Sequence, residues 1–308
     1  MSPRREVKNL AASIRAKLGE VARRRGVELQ LVLSEYAIER FLHRLGTSPQ
    51  ADRFVVKGAT LFRIWSGDER RATWDLDLLG REASGVGGVV TAMREICSVV
   101  GEDGLEFLRG SVKGEEIRAP DEYAGVRVRI DVRLGNARIP LQVDVGFGDA
   151  VIPAPTREAI PTVLDLALDP PKVFVYPREA VVAEKFEAMV VLGMTNSRMK
   201  DFYDVHRLAA LSTFRGSTLF RAVKATFERR KTPYPEGEPL ALTPAFLEAS
   251  ERRSQWKAFL RRARLEGPKD VGTLIRDLRR FLLPVLEAAR SERPLDSRWE
   301  PGGPWSEK

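Results

Sequence analysis

FVVKGATLFRIWSGDERRATWDLDLLG, residues 54–80, is the stretch that decides the fold. The apolar run Phe54, Val55 and Val56 ends before Gly58, which predicts a short buried strand that leads into a tight turn. Residues 59–65 carry apolar side chains at helical spacing, and residues 75–79 alternate between polar and apolar. The stretch therefore predicts a strand, a glycine turn, a short helix and a second strand.

The second predicted strand carries two acids, Asp75 and Asp77. Residues i and i+2 of a strand share a face, so the two carboxylates would lie side by side while Leu76 and Leu78 face the core. A divalent cation would relieve their repulsion, and oxygen ligands suit Mg²⁺ or Mn²⁺. The alternative is a strand end with two solvated acids, and this pair alone does not decide between the two.

Length and composition exclude several classes of protein. A chain of 308 residues with 43% hydrophobic residues is long enough for two globular domains. It has no apolar run of membrane-spanning length and no apolar signal core near the N-terminus, which predicts a cytoplasmic protein with no membrane partner. One cysteine and two histidines argue against an internal disulfide and a zinc site.

Positive charge is concentrated in two regions. Residues 1–25 hold eight Lys and Arg against two acids, and residues 213–290 hold seventeen against nine. Because the whole chain carries +8, the remaining residues are net acidic. This pattern favours an acidic catalytic core with basic surfaces that bind a polyanion, although arginine-rich helix faces in contact only with solvent would give the same composition.

Two further strands are predicted, at residues 126–134 and 139–147, because polar and apolar residues alternate there. Asp144 is flanked by valines and followed by two nearby glycines, which indicates an inner strand that is closely approached. It is therefore the better candidate for a third metal carboxylate. Asp131 lies among three arginines and is more simply a cross-strand salt-bridge partner.

Residues 177–194 predict a buried helix, because apolar residues occupy nearly all of its faces. Lys185 lies on its apolar stripe, where an ammonium group needs an anion. Asp201 and Asp204, neighbours on the predicted helix 197–211, could each pair with it. Such a pair would be a structural tie, or it would aim the lysine at a phosphate. The alternative is a lysine that extends its charged tip to solvent.

The whole pattern predicts an α+β protein in three parts. Residues 1–165 would form a mixed-sheet lobe with leading helices at 5–24 and 28–44, and residues 166–290 a helical C-terminal lobe. Residues 291–308, rich in Pro and Gly, would form a loose tail. Residues 251–264 interleave two aromatics with basic residues, which indicates either a nucleic-acid face or a packed core contact.

Five motifs occur in order: K-G-A-T-L at 57–61, R-x-T-x-D-x-D-L at 71–78, Q-x-D at 142–144, E-K at 184–185 and R-M-K-D-F-Y-D at 198–204. The ordered set resembles the AbiEii/AbiGii toxin family of the DNA polymerase beta-like nucleotidyltransferase superfamily, and is similar to MenT-type toxins. The resemblance covers residues 34–211. Ala59 departs from the glycine or serine that is common in the family at this position, which removes a serine contact to phosphate but keeps the turn.

The resemblance implies a nucleotidyltransferase-like fold and a toxin of a toxin–antitoxin or phage-defence system. Such an enzyme would transfer nucleotides from an NTP to an RNA acceptor, with the 3′ end of tRNA as the implied acceptor and a cognate antitoxin as the protein partner. By position, Asp75 and Asp77 match the metal-binding pair and Asp144 the third acid, with Mg²⁺ or Mn²⁺ as cofactor. Lys185 and Asp201 match the conserved lysine and aspartate.

The nucleotide-binding residues lie in or near the same motifs, and Thr73 shares a strand face with Asp75 if the strand starts early. Gly58 and Ala59 would bring backbone N–H groups to the triphosphate. Arg71 and Lys185 would neutralise charge that builds on the pyrophosphate, and the Thr73 hydroxyl would lie close to the phosphates.

Two other functions are compatible with the sequence. The same chemistry could act on a protein hydroxyl or a small molecule, and a third reading is an inert binding or antitoxin protein. The intact acids and Lys185 argue against inertness.

Overall fold

The computed structural model describes residues 9–66, 73–118, 124–248 and 250–307. The chain forms two compact units, the first drawn from Met1–Ile64, Ala72–Gly148 and Thr156–Val175, and the second from Trp65–Arg71, Asp149–Pro155 and Tyr176–Lys308. The main division therefore falls at Tyr176 rather than after residue 165. The reason is that the strand Lys172–Val175 pairs with Phe54–Lys57 and so belongs to the first unit.

The described elements include the predicted strands and helices at residues 54–80, 126–147 and 177–211, together with strands that the pattern did not predict. The helices are α1 (Leu10–Arg25), α2 (Leu29–Thr47), α3 (Phe62–Trp65), α4 (Gly85–Cys97), α5 (Arg178–Leu192), α6 (Met199–Leu211), α7 (Gly216–Arg230), α8 (Pro244–Glu248), α9 (Ser250–Ala263) and α10 (Val271–Arg290). The strands are β1 (Phe54–Lys57), β2 (Asp75–Gly80), β3 (Leu105–Phe107), β4 (Lys113–Arg118), β5 (Ala124–Leu134), β6 (Ala137–Phe147), β7 (Thr156–Ala159), β8 (Lys172–Val175), β9 (Phe214–Arg215), β10 (Ser297–Trp299) and β11 (Trp305–Glu307).

The first unit is built on a mixed sheet. Its described strands follow the order β3-β5-β6-β2-β1-β8-β7, and β4 pairs with β5. Strand β2 is antiparallel to β1 and parallel to β6, so it lies inside the sheet with a partner on each side. The predicted α+β class with a mixed sheet is confirmed, and β2 is the strand that the predicted metal pair required.

Alternation along the inner strands separates a core face from a polar face. Leu76, Leu78, Val143 and Val145 are fully buried, whereas the residues between them on β2 and β6 are partly exposed. Helices α2 and α4 pack against strands of this sheet. The acids of β2 and β6 therefore lie on the sheet face opposite to the buried leucines and valines.

A buried ionic cluster anchors α2 to the turn before β3. The Asp103 carboxylate accepts hydrogen bonds from Arg44 at 2.5 and 3.0 Å and from Arg40 at 3.3 Å. Burial alone would raise the pKa of Asp103, but hydrogen bonds and charge from Arg44 outweigh it, so this pKa is lowered. The ionised carboxylate thus holds Arg44 and Arg40, and Arg40 also lies 3.6 Å from the Glu39 carboxylate.

The second unit is a helical bundle with a small sheet. Helix α5 packs against α6 and α7, and α10 packs against the same two helices. Strands β11, β10 and β9 form a three-stranded antiparallel sheet in that order, within the part of the chain that the structure describes. The predicted helical C-terminal lobe is therefore present, with strands that the sequence pattern did not indicate.

The predicted loose tail at residues 291–308 is wrong. Trp299 is 3% exposed, its indole N–H donates to the Ala209 carbonyl at 2.7 Å, and its ring centroid lies 4.9 Å from that of Phe281. Gly302 and Gly303 have positive φ and turn the chain so that β11 pairs with β10. The Pro and Gly content thus forms a tight turn instead of a disordered end.

None of the described helices combines the length and apolar character that a membrane crossing requires.

The docked tail generates the first prediction. We expect Trp299→Ala to lower the free energy of unfolding by about 3–5 kcal/mol, because it removes a fully buried indole and leaves a cavity. The measurement is urea unfolding followed by circular dichroism. Trp74→Ala is the matched control, since Trp74 is 47% exposed. Equal effects of the two substitutions would contradict the packing of the tail into the second unit.

Candidate active site

The three predicted metal carboxylates lie on one face of the sheet in the first unit. In the parallel pairing of β2 with β6, Asp75 lies opposite Gln142 and Asp77 lies opposite Asp144. Side chains at paired positions of neighbouring strands point to the same side of a sheet. The fold therefore brings Asp144 beside Asp75 and Asp77, which precede it by more than sixty positions in the sequence.

Gly58 lies against Asp77 at the turn that follows β1. Its φ is +74°, and a Cβ atom built at this position would overlap Oδ2 of Asp77. The one-turn 3₁₀ segment Gly58–Leu61 starts here, with Ala59 and Thr60 buried. A glycine is required for two reasons, since other residues rarely adopt this φ and any side chain would displace the acid.

Arg127 of β5 holds Asp144. Its guanidinium donates from Nε to Oδ1 at 2.9 Å and from Nη2 to Oδ2 at 2.7 Å, and the Gln142 amide reaches Oδ2 at 3.4 Å. The hydrogen bond to Asp144 raises the pKa of Arg127. The third acid of the predicted metal set is thus engaged by a protein cation from the neighbouring strand.

The prediction that Asp131 is the cross-strand salt-bridge partner is wrong. Asp131 lies opposite Pro140 in the β5–β6 pairing, whereas Arg127 lies opposite Asp144. No ion pair involves the Asp131 carboxylate among the residues that the structure describes, and this side chain is exposed. The register of the hairpin, and not the number of nearby arginines in the sequence, decides which acid is paired.

The fit of a divalent cation to this face can be judged from the donors. Within residues 9–66, 73–118, 124–248 and 250–307, no three or more His, Cys, Asp or Glu side chains are arranged as a metal site. The chemistry of the donors nevertheless fits, because Asp75 and Asp77 are partly exposed carboxylates on one face. Asp144 would join them with the acceptor capacity that Arg127 and Gln142 leave on its Oδ1, or by exchanging Arg127 for the ion.

The remaining predicted nucleotide-binding residues of the first unit are Thr73 and Arg71. The Thr73 hydroxyl donates to the backbone carbonyl of Asp75 at 3.0 Å, so it fixes the start of β2. Arg71 lies outside the described residues.

Lys185 lies in the second unit, between two buried acids of α6. Its Nζ is 2.6 Å from Oδ1 of Asp201 and 2.9 Å from Oδ2 of Asp204. Both aspartate side chains are 1% exposed. Arg198 also contacts Asp201, at 2.7 Å. Burial would raise the pKa of Asp201, but the charges of Lys185 and Arg198 outweigh it and lower this pKa. Lys185 therefore ties α5 to α6 through a cluster of two cations and two anions.

Sequence reasoning missed Arg127. The signal was available, because the closing pair Leu134 and Ala137 brackets a two-residue turn, and counting outward from it pairs residue 127 with residue 144. Sequence reasoning also grouped Arg252 with the polyanion-binding residues. Arg252 is 8% exposed and donates to the Met194 carbonyl and to Gln255, so it is a structural residue of the second unit.

Comparison with known proteins gives a family and a set of related folds. The family model described as "Nucleotidyl transferase AbiEii toxin, Type IV TA system" matches residues 40–283. Among solved structures, the nucleotidyltransferase toxin MenT4 of Mycobacterium tuberculosis is 17% identical, with a TM-score of 0.51 over 88% of this chain and 98% of its own. JHP933 of Helicobacter pylori is 14% identical, with a TM-score of 0.46 over 86% and 95%. No curated protein gives a significant match.

The contact between Gly58 and Asp77 generates the second prediction. We expect Gly58→Ala to cost about 1–3 kcal/mol more in unfolding free energy than Gly85→Ala, and to weaken Mn²⁺ binding measured by calorimetry. Gly85 is the matched control, because its φ is +58° but a Cβ there would meet nothing within 4 Å. Both substitutions share the backbone strain, and only Gly58→Ala displaces a carboxylate. The same loss in both variants would mean that Asp77 does not depend on the glycine.

The Lys185 cluster generates a third prediction, on pH dependence. Asp201 has a lowered pKa, so its contribution in the parent is present above the unfolded pKa and is lost as the pH falls through the folded pKa. Lys185→Met removes a cation from two buried carboxylates and should destabilise the protein by about 3–5 kcal/mol at pH 7. Without the charge of Lys185, burial raises the pKa of Asp201, so the variant should gain stability between pH 7 and pH 5.

Urea unfolding of parent and variant at both pH values measures this difference. Lys224→Met is the control, since Lys224 bonds to the exposed acids Glu228 and Glu292. A Lys185→Met variant whose stability does not increase on acidification would show that Lys185 does not hold Asp201 in the ionised form.

Proposed function

The chain belongs to the AbiEii nucleotidyl transferase toxin family of type IV toxin–antitoxin systems, and from this premise we propose that it transfers a nucleotide from an NTP to an RNA acceptor. The family match covers residues 40–283 and so includes every residue proposed for the site. The observation that carries the proposal is the acidic face of the sheet, where Asp75, Asp77 and Asp144 lie beside the Gly58 turn.

Asp75 and Asp77 are the proposed ligands of Mg²⁺ or Mn²⁺. When bound, such an ion supplies positive charge that stabilises the phosphate oxygens of the NTP. The donors that the chain offers are carboxylates only, which hard divalent cations prefer. Gly58 and Ala59 lie next to this pair, and their turn lets backbone N–H groups approach a triphosphate without a side chain between them.

Asp144 is the proposed proton acceptor. In the transfer, the acceptor hydroxyl oxygen forms a bond to the α-phosphorus of the NTP, the bond to pyrophosphate breaks, and the hydroxyl proton passes to Asp144 and then to solvent. Arg127 donates to both oxygens of Asp144, and the Gln142 amide donates to Oδ2. A carboxylate oxygen has two acceptor sites, so Oδ1 keeps one that can take the proton while Arg127 stays bound.

Lys185 and Arg71 are proposed to neutralise charge on the departing pyrophosphate. The ammonium group of Lys185 is fixed by Asp201 and Asp204, and 16% of its side chain is exposed. Asp201 would thus act as a positioning residue for Lys185. The Thr73 hydroxyl, which fixes the start of β2, would lie near the bound phosphates.

RNA is the proposed acceptor class, and the 3′ end of tRNA is the acceptor within it. The basic C-terminal region supports this choice, because phosphate contacts dominate the affinity of proteins for nucleic acids. The same premise includes a cognate antitoxin protein as partner and the cytoplasm, where tRNA and NTPs occur together, as the location.

A labelling experiment tests the proposal. The purified protein is incubated with Mg²⁺ or Mn²⁺, each α-³²P-labelled NTP in turn, and either total RNA or an RNA-free protein extract. We expect label in the RNA, concentrated in the tRNA band and removed by ribonuclease. If label appears only in protein, the acceptor is a protein hydroxyl and not RNA. If no NTP gives any labelling, the proposed transferase activity is refuted.

The fourth prediction separates the metal pair from other acids of the sheet. We expect Asp77→Asn to reduce nucleotide transfer at least a hundredfold, because one carboxylate of the cation site becomes neutral. Its thermal midpoint should stay unchanged or rise, since a like-charge pair is relieved. Asp131→Asn is the control, as Asp131 is an exposed acid on β5 of the same sheet. If Asp77→Asn transfers nucleotides at nearly the parental rate, β2 is not part of the active site.

A further inference from the structure

The second unit contains a cavity that the proposed chemistry does not use. It lies between Leu247 of α8, one face of α9 and the start of α10, and its volume is about 390 Å³. Sites for small ligands range roughly from 300 to 1,000 Å³. The cavity is therefore large enough for one planar group of the size of a nucleobase.

Three cations line this cavity. Arg253 and Lys257 lie one helical turn apart on α9, and Lys269 reaches the cavity from the turn before α10. All three side chains are exposed, and none forms an ion pair with another residue that the structure describes. Basic side chains that are not neutralised by the protein are available to an anion at this position.

One acid also lines the cavity, but it is already committed. The Asp270 carboxylate accepts hydrogen bonds from the backbone N–H of Thr273 at 2.8 Å and from the Thr273 hydroxyl at 2.9 Å. It caps α10, so the N-terminus of that helix is occupied by its own side chain and is not the feature that would attract an anion. The three cations remain in excess over the one capping acid.

The floor of the cavity is apolar and held in place. Trp256 and Val271 are buried there, and the Trp256 indole N–H donates to the Pro268 carbonyl at 2.8 Å. Phe259 stacks on the Trp256 ring with centroids 5.7 Å apart. The aromatics of residues 251–264 therefore form a rigid wall rather than an exposed stacking surface, and the cavity is formed before any ligand arrives.

An apolar slot with three cations at its mouth selects a ligand that joins a planar apolar group to repeated negative charge. We propose that this cavity binds one unstacked nucleotide of the single-stranded RNA acceptor, with the base inside and the flanking phosphates on Arg253, Lys257 and Lys269. The proposal rests on the proposed function, since it assigns the RNA of that reaction to a site. It is favoured over a free NTP because the phosphates of an NTP form one chain on the 5′ side, whereas a nucleotide within a strand has phosphates on both its 5′ and 3′ sides and can meet cations of two separate elements.

The test measures binding without chemistry. Fluorescence anisotropy follows a labelled single-stranded oligoribonucleotide of about a dozen nucleotides, a length typical of such sites, in buffer without NTP at two salt concentrations. The cavity variant is Arg253→Gln with Lys257→Gln and Lys269→Gln. The control variant is Arg261→Gln with Arg262→Gln and Arg280→Gln, three exposed arginines of α9 and α10 outside the cavity. A third variant, Leu247→Trp, fills the slot and leaves every charge in place.

We expect the cavity variant to lose about tenfold or more in affinity and its salt slope to fall by about 2, the value for three phosphate contacts on a single strand. Leu247→Trp should lose about tenfold with an unchanged salt slope, since stacking and not charge is removed. The control variant should change less than threefold. Thermal unfolding of all three variants checks that the second unit is intact.

Several outcomes would overturn the proposal. Equal losses in the cavity and control variants would mean diffuse charge attraction, and parental binding by Leu247→Trp would mean that no base enters. If the cavity variant binds RNA like the parent but binds NTP more weakly, the cavity holds a free nucleotide. If it loses only the binding of the cognate antitoxin, the cavity holds a protein segment. The labelling experiment distinguishes the two proposals. If the parent labels RNA and the cavity variants bind RNA normally, the cavity proposal is refuted and the transferase proposal stands.

Discussion

The parallel pairing of β2 with β6 is the constraint on which the acidic face depends. It sets Asp77 opposite Asp144, and it buries the leucines and valines between the acids on the other side of the sheet. A shift of this register by one residue would turn both acids of β2 toward the core and is excluded by the cost of burying them. The Gly58 turn adds a second restraint, because it packs directly on Asp77. The apolar core and the acidic face are therefore two consequences of one register.

The two ionic clusters differ in how readily they can open. Arg127 and Asp144 are 31% and 20% exposed, and ion pairs with this access to solvent contribute about 1 kcal/mol or less. Asp201 and Asp204 are 1% exposed, and removal of the cation from such acids costs about 3–5 kcal/mol. Exchange of Arg127 for another cation is thus energetically accessible, whereas Lys185 stays where its acids hold it. This difference suits the roles proposed for the two groups, since Asp144 can change its partner whereas the ammonium group of Lys185 stays fixed.

Local pattern was sufficient for the faces of the strands, and for the existence and type of α1, α2, α5 and α6. The hairpin register was also accessible, since it follows from the short turn between β5 and β6. The pairing of residue 75 with residue 142 could not be predicted, because no local signal joins strands so far apart. The tail could not be predicted from composition, as the same glycines serve a loose end or a tight turn. What distinguishes the two is the contact of Trp299 with Ala209 and Phe281, which is a tertiary property.

The net charge of the sequence overstates the basic surface of the second unit, because several of its arginines bond to acids or carbonyls of the same unit. Arg230 bonds to Glu187, Arg252 to a backbone carbonyl, and Arg279 to Glu238. A guanidinium committed in this way cannot also neutralise a phosphate without losing its partner. Among the described residues, the exposed cations without such bonds include Arg253, Lys257, Arg261, Arg262, Lys269 and Arg280. They lie on α9, on the turn that follows it, and on α10, so this part of the unit presents a group of cations that is available to a polyanion. Within it, the cavity is the place where cations and a preformed apolar slot coincide, which is the combination that separates a nucleotide site from general charge attraction.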